Sequence, residues 1–182
     1  GTVTYIDTEG GLSIKRLRQL TDDVDGFLKR VRVMEPRDFR EQGDIIRSLS
    51  ERSDLRIVDS IASLYRLEFS EQKKMRELNV HILEANRELS KQLSILSYLS
   101  RKWEIPVIIT SHTFKNWQTG ENEIVGGDTI KYWCKTIVFL EKTRRTSERK
   151  AILVKHRNLP ENGQVKFLIV NEGVKPSGFR LF

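Results

Sequence analysis

Four short strand-like runs, each set apart from the next by a helical pattern, constrain this chain more than any other feature. They are "GTVTYID" at 1–7, "RVRVMEP" at 30–36, "LRIVDSI" at 55–61 and "IPVIITSH" at 105–112. Strands joined by helical crossovers pair in parallel, and a parallel sheet is covered by helices on its faces. "IPVIITSH" is nearly continuous in apolar residues, the pattern of a strand buried on both sides. The connecting segments support this. "SIKRLRQL" predicts a short helix capped by Ser13, whose hydroxyl can accept from the first free amides. "RDFREQGDIIRSLSERS" places Phe39, Ile45, Ile46 and Leu49 on one helical face. Met75, Leu78, Ile82, Ala85, Leu89, Leu93, Leu96 and Trp103 recur at helical spacing and predict one long amphipathic helix packed on the sheet.

From residue 135 the pattern changes. "KTIVFLEK", "RKAILVKHR" and "QVKFLIVNE" predict successive antiparallel strands, joined by the charged tip "TRRTSER" and by "NLPENG". The expected fold is therefore α/β: a mostly parallel twisted sheet flanked by helices, with antiparallel strands at the C-terminal end. At 182 residues, with no internal repeat or linker, one domain over 1–182 is expected.

Chemistry gathers at one predicted edge. Open parallel sheets bind ligands beyond the carboxyl ends of their strands. Asp7 and Glu9 end the first strand, before the glycine pair Gly10–Gly11; Asp59 and Ser60 end the third; Ser111 and His112 end the fourth. A strand-end aspartate such as Asp59 is placed to hold magnesium through water beside phosphates. The net charge of +7 and pI near 9.6 favour a polyanionic partner. A single cysteine, Cys134, excludes an internal disulfide framework and leans towards a reducing, cytoplasmic setting. No apolar run reaches the roughly 18–20 residues of a membrane span, and no signal peptide is read at the start.

"YIDTEGG", "RIVDSIASLYR", "PVIITSH", "IVGGDTIKYWCKTIVFLEK" and "VKHRNLPENGQVKFLIVNEG" stand in the order and spacing of the RecA/RadA recombinase ATPase core, which this chain resembles over essentially its whole length. The resemblance implies ATP and Mg as cofactors. It makes Glu9 the general base that polarises the attacking water, and Asp59, followed by Ser60, the magnesium aspartate. His112 falls where these proteins usually carry a γ-phosphate-sensing glutamine; a histidine does not reproduce an amide, which puts nucleotide-to-DNA coupling in question. The phosphate cradle G-x-x-x-x-G-K-[ST] does not occur in these residues. In the family it lies just before "TYIDTEGG", so the expected core lacks its first strand and P-loop helix as given. The chain alone is not expected to hydrolyse ATP efficiently.

Single-stranded DNA is the partner the resemblance implies. One family DNA loop falls on "YRLEFSEQKK", offering Arg66, Lys73 and Lys74. The other falls on "TFKNWQTGENE", where Phe114 and Trp117 flank Lys115 and where Gly126 and Gly127 match the closing glycine pair. Aromatic rings stack on unpaired bases and lysine neutralises phosphate; a protein partner is the other use of such rings. Lys142, Arg144, Arg145, Arg149 and Lys150 form a basic hairpin tip, a solvated end or a DNA-steering patch. Lys155 and Arg157 are candidates to reach the nucleotide of a neighbouring subunit. Several functions stay open: a recombination ATPase with weak or no hydrolysis, a non-catalytic mediator that binds a RadA-like main recombinase, or a RecA-like regulatory ATPase. Homodimerisation is open as well.

Overall fold

The crossovers order the structure as the strand–helix alternation requires. A computed structural model describes residues 1–68, 75–118, 120 and 122–177. In chain order its elements are β1 (Val3–Asp7), α1 (Ile14–Leu20), α2 (Val24–Leu28), β2 (Val31–Met34), α3 (Phe39–Ser48), β3 (Leu55–Asp59), α4 (Ser63–Leu67), α5 (Met75–Trp103), β4 (Val107–Ile109), β5 (Thr113–Lys115), β6 (Asn122–Ile124), α6 (Gly127–Trp133), β7 (Ile137–Lys142), β8 (Glu148–Lys155), β9 (Gln164–Val170) and β10 (Gly173–Pro176). They divide into two compact units, one of residues 1–12 and 25–133, the other of residues 13–24 and 134–182.

The first unit holds a four-stranded sheet, ordered β2-β1-β3-β4 and parallel throughout. Ile6 and Val58 of the sheet are buried, as are Phe39 and Ile46 of α3 and Leu89, Leu93 and Leu96 of α5. Burial of each large aliphatic side chain is worth about 1.5–3 kcal/mol, so this layer carries much of the unit's stability. Helix α3 begins where Asp38, in extended conformation, accepts from the Glu41 amide at 2.8 Å, and the Glu41 carboxylate accepts from the Arg37 amide at 2.8 Å. Arg56, the residue that interrupts the apolar run of β3, is 1% exposed. Its guanidinium stacks 4.3 Å above the Trp103 ring and donates to the Glu51 carbonyl at 2.6 Å. Burial lowers its pKa from the usual arginine value.

The segment between β4 and α6 contains a short antiparallel hairpin, β5 with β6. It closes on Gly126 and Gly127, both at positive φ (89° and 47°). A Cβ at Gly126 would come within 2.8 Å of Ile130 Cδ1 and 3.1 Å of Leu89 Cδ2, so both the backbone and the packing require glycine there.

In the second unit, β10-β9-β8-β7 form an antiparallel sheet. The expected meander is present and gains a fourth strand, β10. Ser13 caps α1 as expected, accepting from the Arg16 amide at 3.2 Å. The Arg16 guanidinium then donates to the Val170 and Asn171 carbonyls at 2.8 and 3.0 Å, fixing α1 to the end of β9. The basic tip joins β7 to β8, where Lys142 lies opposite Arg149 and Lys150 pairs with Glu141 at 2.7 Å. Among the described residues no helix is long and apolar enough to cross a membrane.

Candidate functional site at the carboxyl edge of the parallel sheet

Register brings the carboxylates together. Asp7 lies directly opposite Asp59 in the β1–β3 ladder, and the ladder runs on through Thr8 N–H to the Asp59 carbonyl at 2.9 Å. Thr110, just past β4, continues the same edge by donating its amide to the Val58 carbonyl at 3.1 Å. The three strand ends expected to share an edge therefore do.

Asp7 and Glu9 have separate jobs. The Asp7 carboxylate is buried and accepts from the amides of Gly11 (3.0 Å), Leu12 (3.0 Å) and Glu9 (3.2 Å). Burial opposes its charge, yet the amides of Gly11, Leu12, Glu9 and Gly10 outweigh that and hold its pKa below the usual carboxylate range. Asp7 is thus the peg around which the "TEGG" turn folds. The turn delivers Glu9 outward: its carboxylate is partly exposed, and its Oε1 lies 2.7 Å from His112 Nε2. The same Oε1 accepts from the Ser63 hydroxyl at the start of α4.

Asp59 is held on both sides. Oδ2 accepts from the Tyr5 hydroxyl at 2.7 Å and Oδ1 from the Thr110 hydroxyl at 2.5 Å. Burial, reinforced by the hydrogen bond to Asp59, raises the Tyr5 pKa above the ordinary phenol range. Each Asp59 oxygen keeps a second lone pair. Among the described residues no group of three or more His, Cys, Asp or Glu could hold a metal directly. A lone, fixed carboxylate suits magnesium, which keeps most of its waters and takes phosphate oxygens. Ser60 is buried under this edge: its amide donates to Thr8 Oγ1 at 2.7 Å, and its carbonyl accepts from that hydroxyl at 2.8 Å. The Asp59–Ser60 peptide bond is cis.

Of the candidates read from sequence, Glu9, Asp59, Ser60 and His112 converge here. Ser63, Thr8, Tyr5 and Thr110 were missed. Nothing local marked Ser63, whose partner Glu9 lies 54 residues away along the chain.

The aromatic segment is placed next to this edge by chain continuity, since His112 runs straight into β5. The Val125 amide donates to the His112 carbonyl at 2.9 Å and the Ser111 hydroxyl to the Val125 carbonyl at 2.9 Å, so the hairpin's base is pinned to the strand end. Its far end is open: Trp117 is 94% exposed, and Phe114 and Lys115 are exposed. With Asn116 and Gln118 they line a groove of about 570 Å³. Arg66 is exposed in the last turn of α4. Lys73 and Lys74 lie outside the described residues. Lys155 and Arg157 belong to the second unit, where Lys155 closes β8 opposite Ile137. Arg157 is exposed in a turn that His156 Nδ1 shapes by accepting from the amides of Asn158 and Leu159, both at 3.1 Å.

Comparison with known proteins bears on this geometry directly. The Rad51 family profile matches residues 1–177. The "DNA repair and recombination protein RadB" of Methanobrevibacter smithii is 31% identical over 94% of this chain and 74% of its own length. Its counterpart in Thermococcus onnurineus is 37% identical over 96% and 77%. Among solved structures, the crystal structure of the RadB recombinase superposes with a TM-score of 0.76 at 31% identity, covering 97% of this chain and 79% of that one.

Proposed function

The chain belongs to the Rad51 family, among the RadB-type DNA repair and recombination proteins with a RecA-like fold, and from that premise we propose that it binds ATP with magnesium and single-stranded DNA and hydrolyses ATP slowly. The convergence of Glu9, Asp59 and His112 on one sheet edge carries the proposal. Magnesium supplies charge neutralisation at the phosphates when bound, and Asp59 would hold it through water. Glu9 keeps one carboxylate oxygen clear of His112 and Ser63 and takes the proton of the attacking water. His112 contacts Glu9 and directly precedes β5, so the nucleotide edge and the hairpin are adjacent in the chain. There Phe114 and Trp117 stack on bases and Lys115 meets phosphate, with Arg66, Lys73 and Lys74 as further phosphate contacts. Lys155 and Arg157 are assigned to a neighbouring subunit's nucleotide, in a homodimer or beside a RadA-like recombinase.

Single-turnover hydrolysis by the full-length protein tests the central assignment. General-base catalysis contributes roughly 10²–10⁴-fold, so Glu9→Gln is expected to slow turnover by about that factor while nucleotide binding persists. Unchanged turnover in that variant removes Glu9 from the chemistry. A second reading, a mediator without hydrolysis, draws on the His112–Glu9 contact of 2.7 Å, which occupies the sensing nitrogen. It predicts DNA and recombinase binding with no turnover above the Glu9→Gln background.

A further inference from the structure

Two donors meet on one oxygen of Glu9, and one of them was invisible in the sequence. His112 Nε2 lies 2.7 Å from Oε1, and the Ser63 hydroxyl also donates to Oε1. An ionised carboxylate has no proton to give, so both partners must be donors. Ser63 has a single proton and Glu9 takes it. Ser63 Oγ also lies 3.0 Å from Ser60 Oγ, which accepts from the Ala62 amide at 3.3 Å. Ser60 is buried and its backbone is tied twice to Thr8. Ser63 is thereby set between the start of α4 and Glu9 Oε1.

We infer that Ser63 is a positioning residue for Glu9, holding Oε1 so that Oε2 is the oxygen that accepts the water's proton; this rests on Glu9 acting as the base. A free glutamate side chain rotates among staggered wells about its sp³ torsions and swings broadly about its terminal one. Anchoring one oxygen from two directions fixes the orientation of the carboxylate and leaves Oε2 open to the water. Ser63 contributes the anchor from the helix side and His112 the anchor from the strand side. His112 consequently donates to Glu9 from Nε2, which excludes the neutral tautomer protonated only at Nδ1.

The test uses full-length protein with two readouts. With ¹⁵N-histidine labelling, nucleotide-free wild type is expected to show His112 as Nε2–H, and Ser63→Ala to shift its ring resonances as Glu9 loosens, while Ser63→Thr, which keeps the hydroxyl, leaves them near wild type. In single-turnover hydrolysis, Ser63→Ala is expected to lower the rate constant about tenfold, a misplaced rather than a missing base. The half-saturating ATP concentration is expected to hold, and Ser63→Thr to recover most of the rate. His112 resonances unmoved in Ser63→Ala, or wild-type His112 found protonated only at Nδ1, overturn the inference whatever the rate. If Ser63→Ala turns over normally while Glu9→Gln does not, Ser63 is not a positioning residue and Glu9 remains the base. If Glu9→Gln also turns over normally, the base assignment itself fails.

Discussion

The sheet edge and the β5–β6 hairpin are adjacent in the chain and opposite in character. At the edge, nearly every polar group is answered from within: Asp7 by its own turn, Asp59 by Tyr5 and Thr110, Glu9 by Ser63 and His112. Among the described residues of the hairpin, the β5–β6 ladder holds the backbone, and Asn116 donates to Glu123 at 2.6 Å and accepts from the Gln118 amide at 2.8 Å. Beyond these, Trp117, Phe114 and Lys115 face solvent. A site for chemistry must be fixed before its substrate arrives, since preorganised groups act without reorganising during reaction. A surface that clasps a flexible polymer is completed by the polymer instead. Under the proposed function, variants at the edge's pegs are expected to register in stability, and variants at the hairpin's end in affinity alone.

Asp7→Asn gives the largest effect on that separation. Asparagine keeps one acceptor oxygen and turns an amino group towards amides that also donate. Hydrogen bonds to a charged acceptor are worth about 1.5–3 kcal/mol, and a loss of that order is expected in urea denaturation near pH 7. The sign with pH follows from the depressed Asp7 pKa. A carboxyl whose folded pKa lies below its unfolded one stabilises the fold above the unfolded value and loses that contribution as pH falls through the folded one. The gap between wild type and Asp7→Asn is therefore expected to shrink on acidification below the usual carboxylate range. A gap that stays constant to low pH makes Asp7 an ordinary packed side chain and blurs the contrast with the hairpin.

Trp117→Ala comes next. Base–aromatic stacking is worth about 1–3 kcal/mol by alanine substitution, so fluorescence anisotropy with a single-stranded oligonucleotide is expected to show roughly 5- to 150-fold weaker binding. The unfolding midpoint is expected to hold, since a ring 94% exposed packs on almost nothing. Equal losses of stability and affinity mean that the ring folds back onto the domain. Unchanged DNA affinity assigns it to a protein partner.

How much of this was legible in the sequence depended on whether a feature was local. Strands β1, β2 and β3 and helix α5 followed from periodicity, and the shared edge followed from where the strands stop. Strand β4 followed from its apolar run, but as an edge strand it leaves Ile108 half exposed rather than buried on both sides. Arg56 was visible as an interruption, but its Trp103 stacking partner stands 47 residues on and no local pattern joins them. From the residues alone Asp7 and Glu9 stood as two strand-end carboxylates, and only the family resemblance singled out Glu9. Their division of labour depends on which amides the turn aims inward, a consequence of folding rather than of spacing. Ser63 escaped notice because a serine at a helix start commonly caps it, whereas here its hydroxyl reaches 54 residues back along the chain to Glu9. The hairpin β5–β6 was read as a loop, its strands being three residues each, too short for alternation to register.

The smallest effect is the most discriminating. Lys115 ends β5 beside Trp117 and is exposed. If it meets a single-strand phosphate, Lys115→Ala releases about one counterion fewer, and the slope of log affinity against log salt is expected to become shallower by roughly 0.7. Trp117→Ala should lower affinity at every salt concentration and leave the slope alone, because stacking on a base displaces no condensed cation. The pair of variants thus divides the hairpin's contribution into an ionic part and a stacking part. An unchanged slope in Lys115→Ala, with the loss in Trp117→Ala intact, leaves the hairpin as a stacking platform and moves phosphate contact to Arg66 or to other basic residues. A slope that falls in both variants means that Trp117 orders the lysine rather than the base. In that case the hairpin has an internal arrangement of its own, and it resembles the sheet edge more closely than its exposed rings suggest.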